Sequence, residues 1–574
     1  MKRGILYLFA AVMLIACGGK EKKQSESRLG KGGIKYGGVF RVNETEDFRS
    51  LYPLNVTEVV AHRITNQIYE GLVKLNQEDL SVIPCIAEKW EINPDATEFT
   101  FYLRRGVKFH DDPCFPDGKG REVTAHDFKY CLDKICESFP ENQMFWLFKD
   151  KVKGANEYYE STKNKNPLPG GVEGIKVIDD YTLKIELNYP FSTFLKILSH
   201  SACWVYPKEA FEKYGVAMRV KCVGTGPFRV KTLKEGEYVI LERNPDYWGI
   251  DMYGNQLPYL DAIKYSFIKE KKSELVEFRK GNLDMVFRLP LEMIKEVVAE
   301  FEEAKKGGNR PFEMQVVPAL SIYYYGFQHK LPPFDNVKVR QAFNYAIDRE
   351  SIVNYTLQGE GRPAIYGIVP PIKGYEYEKI KGYTYDPEKA RQLLAEAGYP
   401  NGKGFPKLTL QINSGGGDRN IHTAEVIQKM LKENLNIEVN IEVLQFAQHL
   451  ENYETGKAKF WRAGWVADYP DPENFLNMFY GKHVPSDLNT KSYINSVRYQ
   501  SAKFDSLFEA ALRETDPVKQ YDLFRQADQV AINDAAIMPI FYDENTRLLQ
   551  IYVKNFPANA MEYRDFSQVW FDKE

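Results

Sequence analysis

A strand–helix–strand pattern in the second half of the chain constrains the fold most. Residues 408–412 have the pattern of a strand, and residues 437–443 alternate strictly between apolar and polar side chains. Between these two segments, apolar residues recur at helical spacing: Ile421, Ala424, Ile427, Leu431 and Leu435. A helix that joins two strands over so short a segment forms a βαβ unit, whose strands run parallel with both faces covered. The pattern therefore predicts an α/β fold with a parallel sheet.

Other local patterns predict further elements. Residues 99–103 alternate between apolar and polar side chains, as in a half-buried strand, and residues 175–187 have the pattern of a β-hairpin. Two helices are expected to begin after Asp386 and Asp516, because each aspartate is followed by proline. The aspartate is a good N-cap acceptor, and proline suits the first helical turn.

Length and charge limit the class of protein. The 574 residues exceed the ~250–300 at which a single core stops growing, so at least two lobes are expected. The formal net charge is −3 and both signs are spread along the chain, which excludes the basic surface that nucleic-acid binding requires. After the N-terminal segment there is no run of ~18 apolar residues, so we expect no transmembrane helix.

The N-terminal segment has the pattern of an export signal. Lys2 and Arg3 precede an apolar run over 4–16, which is too short to span a bilayer. The pair Ala16-Cys17 resembles the bacterial lipobox, where cleavage precedes a cysteine that becomes diacylated. We expect 1–16 to be a lipoprotein signal peptide and 17–37 a lipidated, flexible tether, since the polar residues after Cys17 cannot bury apolar surface. The alternative is an ordinary signal peptide with an incidental cysteine.

Six further cysteines are available for disulfide bonds outside the cytoplasm: Cys85, Cys114, Cys131, Cys136, Cys203 and Cys222. Six cysteines allow fifteen connectivities, so the sequence leaves the pairing open.

Catalytic motifs are absent from the sequence. It contains no Gly-x-Ser-x-Gly, no His-Glu-x-x-His, no phosphate-binding loop and no Cys-x-x-Cys. We interpret His110-Asp111-Asp112 as a solvated turn rather than a metal site, because His126 is the only other histidine nearby. The expectation is therefore a protein that is not an enzyme, with no catalytic residue, metal or cofactor.

Eight short sequences occur in an order typical of one protein family. They are AEKWE at 87–91, FTFYLRRGVKFH at 99–110, VTAHDF at 123–128, GTGPF at 224–228, NPDYW at 244–248, VRQAFNYAIDR at 339–349, YDPEKA to AGYP at 385–400, and WVADYPDP at 465–472. Together they resemble family 5 of the bacterial extracellular solute-binding proteins, the peptide-binding components of ABC importers. The resemblance covers roughly residues 38–556.

The resemblance implies a periplasmic-binding-protein-like fold: two α/β lobes, with an additional domain inserted in the first. Ligand is enclosed as the lobes close about a hinge. The expected boundaries are 38–315 for lobe one, completed by 540–574, 316–539 for lobe two, and about 75–200 for the inserted domain. Segments near 312–328 and 537–550 cross between the lobes without helical periodicity, and we expect them to carry the hinge.

The resemblance also implies where ligand binds. In related oligopeptide binders an aspartate pairs the peptide amino terminus, and the matching residue is Asp468. Six residues earlier, an arginine receives the peptide carboxylate in some relatives, and Arg462 stands at that spacing. The planar guanidinium of arginine binds a carboxylate through two hydrogen bonds. Further expected ligand contacts are Trp465, Tyr469, Gly464, Thr225 and Gly226.

Each of these residues has an alternative structural interpretation. Asp468 can be a turn or N-cap acceptor, and Arg462 can belong to a structural salt bridge. Trp465 and Tyr469 can be ordinary core residues. The loop 224–227 is expected to expose backbone donors and acceptors to which an extended ligand adds as a strand, but a tight turn explains its glycines as well.

The predicted function is that of a substrate-binding lipoprotein that captures oligopeptides or dipeptides for an ABC transporter. The expected partners are the peptide, a permease with its ATPase, and a membrane through the lipid anchor. We expect no nucleic acid, a monomer, and a place in the cell envelope on the extracytoplasmic side of a membrane. The alternatives are a nickel-complex or oligosaccharide-binding member of the same family and, more distantly, an extracellular hydrolase.

The anchor can be tested directly. Cys17→Ser is expected to abolish metabolic labelling of the protein with palmitate, because the acylated sulfur is removed. Stable attachment needs several acyl chains, since one gives only marginal membrane binding. Normal labelling of the variant would contradict the lipoprotein interpretation.

Overall fold

The computed structural model describes residues 28–308, 310–415 and 418–573. The predicted signal peptide and Cys17 lie outside the described residues. The strands are β1 (Val39–Asn43), β2 (Val73–Leu75), β3 (Val82–Pro84), β4 (Ala87–Ile92), β5 (Glu98–Leu103), β6 (Ile175–Asp179), β7 (Thr182–Glu186), β8 (Phe228–Lys234), β9 (Tyr238–Arg243), β10 (Ala262–Ser266), β11 (Met285–Phe287), β12 (Glu313–Phe327), β13 (Arg362–Pro363), β14 (Leu408–Asn413), β15 (Val439–Leu444), β16 (Phe460–Val466), β17 (Ile537–Leu549), β18 (Val553–Lys554) and β19 (Trp570–Phe571).

The helices alternate with these strands along the chain. They are α1 (Val59–Thr65), α2 (Ala125–Ile135), α3 (Ala155–Lys163), α4 (Phe194–Ile197), α5 (Lys208–Tyr214), α6 (Lys271–Arg279), α7 (Ile294–Gly307), α8 (Val337–Tyr345), α9 (Arg349–Ser351), α10 (Pro387–Glu396), α11 (Asp418–Leu435), α12 (Phe446–Glu454), α13 (Pro472–Leu476), α14 (Ala502–Arg513) and α15 (Pro517–Asn533). In the described part of the chain, none of them is long and apolar enough to cross a membrane.

The predicted βαβ unit is confirmed. Strand β14 pairs in parallel with β15, from Leu408 opposite Val439 onward, and α11 connects them. Both belong to the largest sheet, whose order is β11–β17–β12–β16–β14–β15 with β13 paired to β17. The sheet as a whole is mixed, because parallel pairing is confined to β15, β14 and β16. The expectation of a parallel sheet is therefore correct only for this edge.

Two long strands run through the whole of this sheet. The first part of β12, from Glu313 to Pro318, pairs with the C-terminal end of β17, to which β11 is also paired. The second part, from Ile322 to Gly326, pairs with the N-terminal end of β17, and this part of β12 also pairs with β16 on its opposite edge. The register shifts between Pro318 and Ile322 and again between Tyr323 and Tyr324. Such irregularities interrupt the ladder and bend the strand, so the pairing of the two crossing segments is broken near the middle of β12.

Two smaller sheets lie on one side of this crossing. One has the order β1–β10–β9–β8, and the other has the order β4–β5–β7–β6. The second falls entirely within the expected inserted domain. It contains the predicted strand over 99–103 and the predicted hairpin over 175–187, and both predictions are confirmed.

Aspartate caps fix the starts of three helices. Asp386 accepts a hydrogen bond from the backbone N–H of Lys389 at 2.9 Å, and Asp516 accepts one from Val518 at 2.9 Å. Both predicted helix starts are thereby confirmed. Asp471 caps α13 in the same way, accepting from the N–H of Glu473 at 3.0 Å. This third cap places α13 beside the end of β16.

A buried charge network joins the C-terminal tail to the beginning of the described chain. Arg564 contacts Glu44 at 2.7 Å and Glu562 at 2.8 Å, while Arg63 contacts Glu44 at 2.8 Å. Burial alone would raise the pKa of Glu562, but the charges of Arg564, Arg547 and Arg63 outweigh it and lower that pKa to about 2. The tail is thus held by charge pairing as well as by apolar contacts.

The last part of the segment predicted to be a tether packs against the folded body. Ile34 and Tyr36 are buried, and they pack in one cluster with Tyr247, Leu257 and Tyr259. Residues 28–37 therefore belong to the folded body, because they supply apolar side chains that this cluster needs. The six cysteines after Cys17 are free thiols: Cys85, Cys114, Cys131, Cys136, Cys203 and Cys222.

The crossing strands generate a prediction about motion. If the two predicted lobes close about the bulge in β12, ligand shifts the population toward the closed form by as much as its affinity for the closed form exceeds its affinity for the open form. Small-angle X-ray scattering of ligand-stripped protein is expected to give a smaller radius of gyration with saturating oligopeptide than without it. An unchanged radius, when calorimetry shows that the same sample binds the peptide, would contradict a hinged closure.

Candidate ligand-binding site

Two adjoining cavities lie where the large sheet faces the first part of the chain. The first compartment has a volume of about 250 Å³. Residues from the second half of the chain that line it are 462–468, Tyr323, Tyr324, Phe446, Tyr453, Glu454, Met478 and Tyr493. Residues from the two ends of the chain that line it are 56–59, Arg49, His62, Arg63 and 561–563. The second compartment has a volume of about 470 Å³, and Val59, Arg63, Arg288, Phe446, Arg462, Val466 and Glu562 line both. Together they form one cleft between the predicted lobes.

One strand of the large sheet presents an open edge to this cleft. Strand β16 pairs with β12 along its length, from Phe460 to Val466. On its other side it pairs with β14 only at Phe460 and Trp461. Within the described ranges, the edge over 462–466 thus has no strand beside it. The carbonyl of Arg462 accepts a hydrogen bond from Nε2 of His449 at 2.9 Å. The rest of this edge offers backbone N–H and C=O groups to an extended ligand.

Asp468 follows this edge directly and faces the first compartment. Its Oδ2 accepts a hydrogen bond from Nδ2 of Asn474 at 3.2 Å, and its backbone N–H donates to Oδ1 of Asn474 at 3.0 Å. Asn474 is fully buried on α13, so it fixes the aspartate in place. The side chain of Asp468 keeps 26% of its surface exposed toward the cleft.

Among the described residues, no positively charged side chain pairs with Asp468. Its nearest basic side chain is His200, whose Nε2 lies 3.8 Å from Oδ1. Burial lowers the pKa of His200 to about 3, so this histidine is neutral at pH 7. Burial raises the pKa of Asp468 to about 7, and the hydrogen bond from Asn474 only partly offsets that increase. Asp468 is therefore poised to receive a cation from outside the protein.

Arg462 lies where the two compartments meet. Its Nη1 donates to Oδ1 of Asn413 at 3.2 Å, and its guanidinium lies 4.5 Å from the ring centre of Tyr323. No carboxylate of the described chain lies within 4.0 Å of it, and its buried Nε has no hydrogen-bond partner there. The geometry does not support the structural salt bridge, and the guanidinium keeps donors for an anion.

Gly464 and Trp465 also line the first compartment. A Cβ added to Gly464 would lie 3.4 Å from the backbone O of Ile322, an ordinary contact. The protein itself therefore does not require glycine here, and its absence of a side chain leaves room in the cleft. The indole Nε1 of Trp465 donates to Oδ1 of Asn474 at 2.8 Å, so one amide positions both Trp465 and Asp468.

Tyr469 does not line the cleft. Its side chain is fully buried, and its hydroxyl donates to Oε2 of Glu473. Residues 468–470 form a bend after the end of β16, with Tyr469 in the core while Asp468 faces the ligand space. The expectation that Tyr469 walls the pocket is wrong, and the alternative of a core residue is correct.

Thr225 and Gly226 are also misassigned. Both are buried, the N–H of Gly226 donates to the O of Ile68 at 2.8 Å, and the hydroxyl of Thr225 donates to Glu70 at 2.9 Å. A Cβ at Gly226 would lie 2.6 Å from the O of Gln67. The loop uses glycine for close backbone packing, so its polar groups are not free for ligand. The open edge lies on β16 instead.

His110 explains how this loop is held. It is buried rather than solvated, its Nε2 lies 2.9 Å from the O of Gly226, and its backbone N–H donates to the O of Gly224 at 2.8 Å. The solvated-turn interpretation is therefore wrong for His110. In the described part of the chain, no three His, Cys, Asp or Glu side chains form a group suited to a metal ion.

The second compartment is rich in charge, and three of its carboxylates, Glu44, Glu360 and Glu562, are paired with arginine. Glu44 lies 2.8 Å from Arg63, and Glu360 lies 3.5 Å from Arg419. Glu46 differs, because its closest polar partner is Nδ2 of Asn413, which donates to it at 3.2 Å across the cleft. Burial raises the pKa of Glu46 to about 7.

Several residues that shape the site had no signal at the sequence level. His200 and Arg49 come from segments far from β16, and only the fold brings them to it. Arg49 lies 3.7 Å from Glu454 across the cleft. Asn474 could have been inferred, since the Asp471-Pro472 pair is the same helix-start signal as at Asp386 and Asp516 and places Asn474 in the first turn.

The unpaired charge of Asp468 predicts an effect on stability. The pKa of Asp468 is higher in the folded than in the unfolded protein, so stability is lost as pH rises from about 4 to about 7. Asp468→Asn is therefore expected to raise the free energy of unfolding of ligand-free protein at pH 8 by roughly 1–4 kcal/mol, with little change at pH 4. Urea unfolding at both pH values measures it.

The matched control is Asp471→Asn. Asp471 pairs with Lys196 at 2.8 Å, so removing its charge is expected to destabilise the protein at pH 8. A loss of stability in Asp468→Asn at pH 8 would show that Asp468 is compensated within the protein.

The chain is similar to known proteins over most of its length. A model of bacterial extracellular solute-binding proteins, family 5, middle region, matches residues 81–487. The periplasmic oligopeptide-binding protein OppA of Escherichia coli is 29% identical over 523 residues, covering 90% of this chain and 89% of OppA. Heme-binding protein A of Haemophilus influenzae is 28% identical over 513 residues, covering 88% and 87% of the two chains.

A solved structure supports the fold. The ABC transporter-associated periplasmic binding protein DppA of Helicobacter pylori, in complex with peptide STSA, superposes with a TM-score of 0.80 at 27% identity, covering 94% of this chain and 99% of DppA. The predicted two-lobed α/β fold is thereby confirmed. Since the family match covers more than two thirds of the sequence, the chain belongs to the bacterial extracellular solute-binding proteins of family 5.

Proposed function

We propose that this protein captures oligopeptides or dipeptides in its cleft and delivers them to an ABC permease and its ATPase. The observation that carries the proposal is Asp468, a carboxylate in a protein-enclosed site beside the neutral His200. Leaving a buried charge unpaired is costly. A ligand ammonium group supplies the missing countercharge, and the amino terminus of a peptide is such a group.

The rest of the site suits the remainder of a peptide. Arg462 retains donors for a carboxylate, whether that of the peptide terminus or of an acidic side chain. The open edge of β16 over 462–466 pairs with a peptide backbone as an added strand. Because backbone pairing does not depend on side chains, such a cleft accepts varied sequences. Gly464 leaves space on the same edge.

The names of the relatives are consistent with this choice without deciding it. An oligopeptide binder and a heme binder are nearly equally similar to this chain, so the ligand has to be argued from the site. Nickel complexes and oligosaccharides carry no ammonium group at one end and carboxylate at the other. Asp468 and Arg462 therefore favour a peptide over these alternatives, and a binding role over that of a hydrolase.

We further propose the organisation in which this function operates. Lobe one comprises 38–315 completed by 540–574, lobe two 316–539, and the inserted domain about 75–200. The bulge between Pro318 and Ile322 is proposed as part of the hinge. The protein acts as a monomer, without catalysis or a cofactor, held by lipid at Cys17 on the extracytoplasmic side of a membrane.

The ammonium contact is tested with four combinations of protein and ligand. Asp468→Asn keeps the size of the side chain but removes its charge, and N-acetylation removes the ammonium of the peptide. Each change alone is expected to weaken binding by ~2–5 kcal/mol, about 30-fold to several thousandfold. Together they are expected to cost much less than the sum, as for groups in direct contact. Calorimetric titration measures all four affinities.

The control is Glu302→Gln, because Glu302 is an exposed residue on α7 outside the cleft. This variant is expected to bind the free and the acetylated peptide with the affinities of the wild-type protein. Equally tight binding of free and acetylated peptides by the wild-type protein would refute the ammonium contact. Additive losses would place Asp468 in an indirect role.

A further inference from the structure

Four exposed apolar residues lie on segments that contribute nothing to the lining of either compartment. Met252 is 89% exposed, Leu29 69%, Ile250 64% and Tyr253 49%. Single exposed apolar side chains are common on proteins, but contiguous groups mark contact surfaces. We refer to these four residues as the apolar tip.

Three residues of the apolar tip, Ile250, Met252 and Tyr253, lie on one loop, and hydrogen bonds hold this loop rigidly in an outward conformation. Asp251 accepts hydrogen bonds from the backbone N–H groups of Tyr253 at 2.8 Å and of Asn255 at 2.7 Å. Its other oxygen accepts from Nδ2 of Asn255 at 2.7 Å and from the hydroxyl of Tyr259. With Asp251 turned inward and fully bonded, the residues on either side of it point outward. The exposure of Ile250 and Met252 is therefore built into the loop.

The same loop binds the first residues of the described chain. Asn255 accepts from the backbone N–H of Lys31 at 2.8 Å and donates to its carbonyl at 3.0 Å. Gly32 adopts a φ of +76°, and a Cβ there would lie 3.1 Å from the ring of Tyr253. The point where the chain enters the folded body is thus beside the apolar tip.

The sequence places Cys17 close to this point. Ten residues lie between Cys17 and Arg28, and the eleven Cα-to-Cα steps that join the two residues span at most roughly 40 Å. A lipid on Cys17 therefore keeps the entry point, and the apolar tip beside it, near the membrane surface at a high effective concentration.

The charges around the apolar tip complement a phospholipid surface. Arg28 and Lys31 have no carboxylate within 4.0 Å among the residues described, and Arg28 lies 5.0 Å from the ring centre of Tyr36. Basic side chains are attracted to anionic headgroups, and tyrosine is favoured at the membrane–water interface.

We propose that the apolar tip enters the headgroup region of the membrane to which the protein is anchored. The inference rests on lipid attachment at Cys17, which is part of the proposed function, and it goes further by assigning the face that meets the membrane. An anchor on one tether leaves the orientation of the body open. A second, rigid contact beside the tether fixes it, so that the cleft is presented to the permease in one orientation.

The test uses the full lipidated protein in vesicles of phosphatidylethanolamine and phosphatidylglycerol. A nitroxide label is attached to Met252→Cys, and for comparison to Val518→Cys, which is 76% exposed at the start of α15. The parent protein, with its native cysteines, supplies the blank. Collision rates of the label with oxygen, which concentrates in lipid, and with an aqueous nickel chelate are measured by electron paramagnetic resonance.

A severalfold higher oxygen-to-nickel ratio at Met252 than at Val518 is expected, and it should fall in protein that also carries Ile250→Ser. Equal ratios at the two positions, in protein that floats with the vesicles, would overturn the membrane contact and leave a protein partner as the occupant of the tip. Protein that does not float would overturn both the anchor and the tip. Peptide binding by calorimetry is independent of either outcome, so failure of the peptide proposal is recognised separately.

Discussion

The pairing of β12 with β17 is the interaction on which the rest of the structure depends. Both strands cross the molecule, and their ladder is interrupted between Pro318 and Ile322. The opposite edge of β12 carries β16, whose free edge lines the cleft. The strand that offers hydrogen bonds to a ligand is thus the direct neighbour of the strand that bends. A ligand that pairs with β16 and contacts the other side of the cleft therefore acts on the crossing itself.

The cleft differs from the surrounding structure in how its charges are balanced. Glu562 is surrounded by arginines and Asp471 pairs with Lys196, so both contribute to folding. Asp468 lies three residues from Asp471, yet it has no charged partner among the described residues: it lies beside the neutral His200 and accepts a hydrogen bond from the amide of Asn474. Enclosing this carboxylate without a paired cation lowers the stability of the folded protein, and under the proposed function a cationic ligand offsets that loss. Such local sacrifice of stability is typical of functional sites.

The parts of the structure that could be predicted are those with local signals. The βαβ unit follows from periodicity, and the helices after Asp386 and Asp516 follow from their caps. The roles of His200 and Arg49 could not be predicted, because the fold alone brings them to β16. The loop with Thr225 and Gly226 was misassigned since glycine accompanies exposed backbone and close packing equally well. Only contact with Gln67 and Ile68 distinguishes the two.

The sequences shared with the family mainly build the scaffold. Thr225, Tyr247 and Trp248 come from two of these sequences, and all three donate hydrogen bonds to the buried Glu70. Arg349, from a third, donates to the carbonyl of Pro539 on β17. Among the eight short sequences shared with the family, WVADYPDP contributes Trp465, Val466, Ala467 and Asp468 to the lining of the first compartment. A family match therefore fixes the frame of the cleft, and under the proposed function the ligand is selected by the charges that the frame leaves unpaired.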